Sequence, residues 1–304
     1  MRKSNLPLLA VGSIALDSLQ THQGSCENVL GGSATYFGLA ARLFSPVSIV
    51  GVVGQDFPKP FWDLYAQRKI DTHNIQTCEG KTFRWGGKYN EDYTTRETLF
   101  TELGVFEKFQ PIISEDYTAP NFLFLGNIQP DLQLNVAAQM KNVKTIVCDT
   151  MNLWIDLCPD RLWGVVELVD VFLLNDEESL QLTGCKTIYD AADKLLAAGP
   201  SIVIIKRGGQ GSLLANQQER IEVPVYPIDR LVDPTGAGDS FAGGFIGSLI
   251  QQKNNNLTEA VVTGTAVASF TVSDFGTKGL LQADPDKIDD RKNIIRSLME
   301  ANQK

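Results

Sequence analysis

Unbroken apolar runs at residues 8 to 16, 47 to 53, 122 to 126, 144 to 148, 170 to 174 and 201 to 205 predict strands buried on both faces. Residues 33 to 43, 57 to 69, 130 to 140, 187 to 198, 238 to 250, 257 to 272 and 286 to 300 read instead as helices. Strands that alternate with helices imply crossover connections. The pattern therefore predicts an α/β protein, a central mostly parallel sheet flanked by helices in three layers. No internal repeat, low-complexity segment or linker interrupts residues 1 to 304, so one domain is expected.

Several of the runs end on a polar residue: Asn127, Asp149, Asn175 and Lys206. In an open parallel sheet the ligand lies beyond the carboxyl ends of the strands, so these side chains are expected around one crevice. The stretch from about 80 to 104 departs from the pattern, being rich in Thr, Tyr, Trp and charge. Alternation around Gly86 and Gly87 predicts a hairpin turning there. With strand pieces near 14 to 30 it would form a small sheet projecting from the core, a candidate lid and a candidate homodimer contact.

A net charge of −9 leaves no excess of Lys and Arg, which argues against nucleic-acid or anionic-membrane binding. Any anionic cofactor must be held locally. With only His22 and His73 present, a histidine-rich metal site or histidine-based triad is not expected. Five cysteines without CxxC spacing suit a reduced, cytoplasmic setting. The apolar start is interrupted by Gly12 and Asp17 and reads as a first strand rather than a signal segment, so the Asn256-Leu257-Thr258 sequon carries no weight. No apolar stretch is long enough to span a bilayer.

The most informative segment is Asp233-Pro234-Thr235-Gly236-Ala237-Gly238-Asp239, which runs into a small-residue helix. Glycines let a backbone approach a ligand, and the first amides of a helix lack intrahelical acceptors, so such a turn can hold a phosphate with Asp239 beside it. An acidic first turn is also plain helix chemistry, but that does not account for the density of glycine. This turn resembles the signature of the ribokinase, or phosphofructokinase-B, family of sugar and nucleoside kinases. The resemblance implies a ribokinase-like fold with a β lid and ATP-dependent phosphoryl transfer to a primary hydroxyl. It also implies an anion hole at Gly236, Ala237 and Gly238, with Asp239 as the base.

Other elements extend the resemblance from about Gly12 to Gly279. Asn175-Asp176-Glu177-Glu178 is similar to the family's N-x-x-E element, which implies that Asn175 serves the nucleotide and that Glu178 reaches Mg²⁺ through water. A helix cap with an acidic first turn is the alternative for the same residues. Lys206-Arg207-Gly208-Gly209-Gln210-Gly211 matches a nucleotide loop in which Lys206 replaces the usual Thr; it would touch ATP phosphates or be a solvated charge. Gly279 falls where the adenine pocket is lined, and Asp233 where a K⁺ site would be.

On the acceptor side, Asp17 would accept from vicinal hydroxyls and Gly31-Gly32 would close the pocket. Thr35 stands nearest to the family's acceptor-binding Asn, and Trp85 would pack on a nucleobase or a sugar face. Gly54-Gln55-Asp56 matches a G-x-D element of mainly structural value. No Walker A or dinucleotide glycine pattern occurs; before Gly80-Lys81-Thr82 the required glycine is Ile75. The expected partner is a small sugar or nucleoside, with ATP, Mg²⁺ and K⁺ as cofactors. A ligand-binding regulator on a kinase fold is the alternative function.

Overall fold

A computed structural model describes residues 7–252 and 255–302. The chain opens with β1 (Leu8–Val11), β2 (Ala15–Thr21), β3 (Gly24–Gly31), α1 (Ser33–Ala41), β4 (Ser48–Gly54), α2 (Lys59–Gln67) and β5 (Asp71–Cys78). It goes on through β6 (Phe83–Tyr89), β7 (Arg96–Glu102), β8 (Phe122–Leu125), α3 (Pro130–Ala138), β9 (Thr145–Asp149), α4 (Asn152–Leu157), α5 (Pro159–Val166) and β10 (Val171–Asn175). Then follow α6 (Asp176–Thr183), α7 (Ile188–Ala198), β11 (Ile202–Lys206), β12 (Ser212–Asn216), β13 (Arg220–Val223), α8 (Ala237–Gln251), α9 (Leu257–Thr271) and α10 (Pro285–Asn302).

Nine strands form the main sheet in the order β13-β12-β11-β10-β9-β8-β1-β4-β5. Its pairings are parallel from β11 through to β5 and antiparallel at β11–β12 and β12–β13. Alternation within each strand builds two cores. Leu8, Ala10, Val171, Leu173 and Ile204 face the layer of α1, α8 and α9. Leu9, Val11, Phe172, Leu174, Val203 and Ile205 face the layer of α3, α5 and α7. Both faces are thus covered, which is why the strands read as continuous apolar runs. The chain leaves β1 for β4 on one side and returns to β8 on the other, so strand order reverses at β1. In such a sheet ligands lie beyond the carboxyl ends of the strands, and Asp149, Asn175 and Lys206 stand at the ends of β9, β10 and β11.

Two expectations are corrected. The predicted strand at 8 to 16 is two strands: Ala15 starts β2, which belongs to a second sheet of order β3-β2-β6-β7. Gly12, Ser13 and Ile14 carry the chain from one sheet to the other. Gly86 and Gly87 are not the hairpin turn; they lie inside β6 at a register shift, and the chain reverses at residues 90 to 95, where the Asn90 amide donates to the Thr95 carbonyl. The two glycines make room for rings. A Cβ on Gly87 would lie 2.1 Å from the Trp85 indole, and one on Gly86 would lie 2.4 Å from the Phe100 ring.

Candidate active site

Helix α8 starts on Gly236, at φ 76°. This left-handed conformation suits glycine, and a Cβ there would also strike the Tyr36 ring at 2.4 Å. The Ala237 amide donates to the Pro234 carbonyl at 3.2 Å, which closes the turn on itself, with Gly236 and Gly238 on either side. Asp239 follows in the first turn of the helix. Burial pushes its carboxyl up to about 7; Asp149 adds to the rise and Lys206 opposes it. A carboxylate near neutrality is a matched base for a hydroxyl.

Lys206, at the end of β11, is no solvated loop charge. Its Nζ donates to both carboxylate oxygens of Asp149, at 2.8 and 2.6 Å, with the two side chains 18% and 5% exposed. A Cβ on Gly238 would come 3.0 Å from Lys206 Nζ, so the ammonium stands directly beside the turn. Burial works against its charge, but Asp149, Glu178 and Asp239 outweigh it and hold its pKa above the usual lysine value. The strand ends β9, β10 and β11 thus converge on the head of α8. Asn127 belongs to another contact, accepting from Trp154 Nε1 at 2.8 Å.

Asn175 and Glu178 form a reciprocal capping box at the start of α6. The Glu178 amide donates to Asn175 Oδ1 at 2.7 Å and the Asn175 amide donates to Glu178 Oε2 at 2.8 Å. The cap occupies one Glu178 oxygen. Burial pushes this carboxyl to about 7, against the pull of Lys206. Gly208, with φ 50°, and Gly209 border open space, and Gly211 has φ 88°. Gly279 packs on backbone, since a Cβ there would meet the Phe270 carbonyl at 2.1 Å.

Across the crevice, Asp17 is 3% exposed and its carboxyl is pushed up to about 8, first by burial and then by the charges of Asp233 and Asp239. The paired glycines create its seat. A Cβ on Gly31 would lie 1.9 Å from Asp17 Oδ2, while Gly32 bonds the carboxylate through its amide. Asp233 is fully buried and accepts from the Thr235 amide at 2.9 Å and the Gly276 amide at 3.0 Å, which pins the turn before α8 to the loop after α9. Trp85 pairs in register with Asp17 on the small sheet, and Arg96 stacks 5.1 Å above its ring.

Thr35 is not brought to the site. Its hydroxyl meets that of Tyr65 at 2.7 Å, both fully buried between α1 and α2. The adjacent Tyr36 turns toward Gly236 instead. Tyr36 was missed in the sequence, because Thr35 and Tyr36 both lie about one turn beyond Gly32 and helical phase alone does not separate them.

The small sheet is latched over the crevice. Tyr89 Oη and Thr235 Oγ1 lie 3.0 Å apart, and Tyr93 Oη reaches the carbonyls of Leu231 and Val232 at 2.9 and 3.1 Å. Asp56 anchors its base, accepting from the Thr82 amide and hydroxyl at 2.7 Å each and from Arg84 at 3.1 Å.

These donors suit a nucleotide phosphate: a glycine turn at a helix head, a buried ammonium beside it and open space over the 208 to 209 loop. Among the described residues, no three acidic, histidine or cysteine side chains converge as a metal cage. Magnesium commonly keeps several waters and binds through one or two carboxylates and substrate phosphates. No helix among the described residues is long and apolar enough to cross a membrane.

The geometry has close counterparts. A cytidine kinase of Thermococcus kodakarensis is 30% identical over 277 residues, covering 89% of this chain and 98% of that relative. The crystal structure of a nucleoside kinase of Methanocaldococcus jannaschii, an archaeal member of the ribokinase family, superposes with a TM-score of 0.79 at 19% identity, over 96% of this chain and 99% of that one. A putative ribokinase II from E. coli, in complex with ATP and Mg²⁺, gives 0.82 at 21% identity, over 95% and 99%. The model of the pfkB family carbohydrate kinases matches residues 8–284, from the first core strand to the last loop before α10. With that match over nearly the whole chain and a cytidine kinase relative at 30% identity, this chain belongs to the pfkB family of carbohydrate kinases.

Proposed function

We propose that the protein transfers the γ-phosphoryl group of ATP to a primary hydroxyl of a nucleoside or sugar, with Asp239 as general base. One juxtaposition carries the reading: a partly buried carboxylate at the head of α8, with the Lys206 ammonium beside the same turn and the buried Asp17 within electrostatic reach. Phosphoryl transfer depends mainly on positioning and charge stabilisation, and these are the parts it uses.

When bound, Mg·ATP supplies the phosphoryl group and neutralises part of its charge. Asp17 orients the acceptor by accepting from its hydroxyls, and Trp85 covers its apolar face. Asp239 takes the proton from the attacking hydroxyl. The amides of Gly236 and Gly238 and the Lys206 ammonium stabilise the migrating charge, each well-aimed donor contributing roughly 3 kcal/mol to the transition state, while the Ala237 amide holds the turn closed through the Pro234 carbonyl. Asn175, the loop at Gly208 and Gly211, and Gly279 from the segment after α9 would flank the nucleotide. Glu178 would meet Mg²⁺ through water with the oxygen its cap leaves over, and a K⁺ ion would sit at the loops pinned by Asp233. The closed small sheet excludes water, which suppresses ATP hydrolysis.

The cytidine kinase relative favours a nucleoside acceptor. The experiment is ADP formation with Mg²⁺ and K⁺ against cytidine, adenosine, inosine, ribose and fructose 6-phosphate. Acceptor-dependent turnover with a nucleoside is the expected result. Turnover only with a phosphorylated sugar would overturn the nucleoside assignment, and ATP binding without any turnover would overturn the enzyme assignment.

A further inference from the structure

Tyr36 and Tyr65 are both buried, but their hydroxyls differ in kind. Tyr65 shares a hydrogen bond with Thr35. The Tyr36 hydroxyl is sealed from solvent with no hydrogen-bond partner among the described residues. A buried hydroxyl without a partner destabilises the fold that contains it, and phenylalanine would fill the space beneath Gly236 equally well. Packing therefore explains the ring and leaves the oxygen unexplained.

The position of that oxygen supplies a reason. The groups whose charge bears on it are Asp17 from β2, Asp233 from the turn before α8, Tyr89 from β6 and Asp239 from α8. Burial first, then these neighbours, pushes the phenol well above its usual pKa, so it stays protonated and can donate. The carboxyl groups nearby can accept in either state, through the carbonyl oxygen when protonated and through both oxygens when ionised. A ligand hydroxyl placed between them satisfies both sides, accepting from the phenol and donating to a carboxylate.

We propose that Tyr36 selects the acceptor, by donating a hydrogen bond to a ring hydroxyl that in turn donates to Asp17. The ligand class is a nucleoside or sugar that keeps its vicinal hydroxyls; a deoxy analogue leaves the phenol and the carboxylate unpaired together. This inference rests on the phosphoryl-transfer reading and adds to it the residue that reads the acceptor.

The test compares the wild type and Tyr36→Phe in ADP formation with cytidine, 2′-deoxycytidine, 3′-deoxycytidine, ribose and 2-deoxyribose. The wild type should prefer a parent compound over one of its deoxy analogues by about 10- to 100-fold in kcat/KM. Tyr36→Phe should erase that preference by losing activity on the parent only, with the deoxy analogue and the KM for ATP unchanged. A variant that keeps the preference overturns the proposal, as does one that loses parent and analogue equally, which is the mark of a packing role. Turnover by the wild type with no preference overturns this inference alone. No turnover of any of these acceptors overturns this inference, and the phosphoryl-transfer reading falls with it only if adenosine, inosine and fructose 6-phosphate are also silent while ATP binds.

Discussion

Lys206 shows how a residue can be legible at a strand end while its surroundings are not. The resemblance left it between contact with ATP phosphates and a solvated charge, whereas its partner Asp149 lies 57 residues away in sequence, and no local pattern couples them. Lys206→Met should lower kcat about 100-fold through lost charge stabilisation. It should also destabilise the protein by roughly 3 kcal/mol, because Asp149 is left as an unpaired buried charge. Steady-state kinetics and denaturant unfolding check the two effects; a variant with wild-type kcat would remove Lys206 from the transition state. The pH dependence of turnover follows from Asp239. Its carboxyl, raised to about 7, must be ionised to accept the proton, so kcat should fall tenfold per unit as pH drops below about 7. A kcat flat from pH 5 to 8 would contradict this.

Among the elements, the paired glycines before α1 and the hairpin of β6 and β7 set the acceptor pocket. Gly31→Ala would drive a Cβ into the Asp17 carboxylate, so the acceptor KM should rise at least about tenfold with the ATP KM unchanged. An unchanged acceptor KM would separate Asp17 from the acceptor. Tyr93 latches the hairpin to the carbonyls of Leu231 and Val232. Tyr93→Phe should raise ATP hydrolysis without acceptor by about 3- to 10-fold, since the lid excludes water less completely; an unchanged background rate would show that this latch does not govern closure. The core strands and most helices were legible from apolar runs. The hairpin turn was not, because glycines that make room for aromatic rings look like turn glycines. Strands β5, β12 and β13 were also missed, being mixed in polarity or at the antiparallel edge of the sheet. Thr35 was named as the nearest equivalent of the family's Asn; it and Tyr36 both lie about one turn beyond Gly32, and only the packing shows that Tyr36 is the one against Gly236.

In the whole molecule, the site concentrates buried and partly buried acids whose folded pKa values are raised: Asp17 to about 8, and Asp239 and Glu178 to about 7. The folded state then binds more protons than the unfolded state between pH 4 and 8, so ligand-free stability should fall as pH rises through that window. Denaturant midpoints at pH 5.5, 7 and 8.5 check this, and Asp17→Asn should flatten the slope; stability rising steadily over the range would contradict it. This strain is intelligible as the cost of holding carboxylates ready for a ligand that brings hydroxyls and phosphates. The central claim is that Asp239 acts on the acceptor rather than on the nucleotide. The most direct measurement is turnover and ATP affinity of Asp239→Asn beside the wild type, with the best acceptor. A loss of kcat of about 1,000-fold or more, with the Kd for ATP within a few-fold of wild type, is the predicted result. Near-normal turnover, or a loss explained by failure to bind ATP, would contradict it.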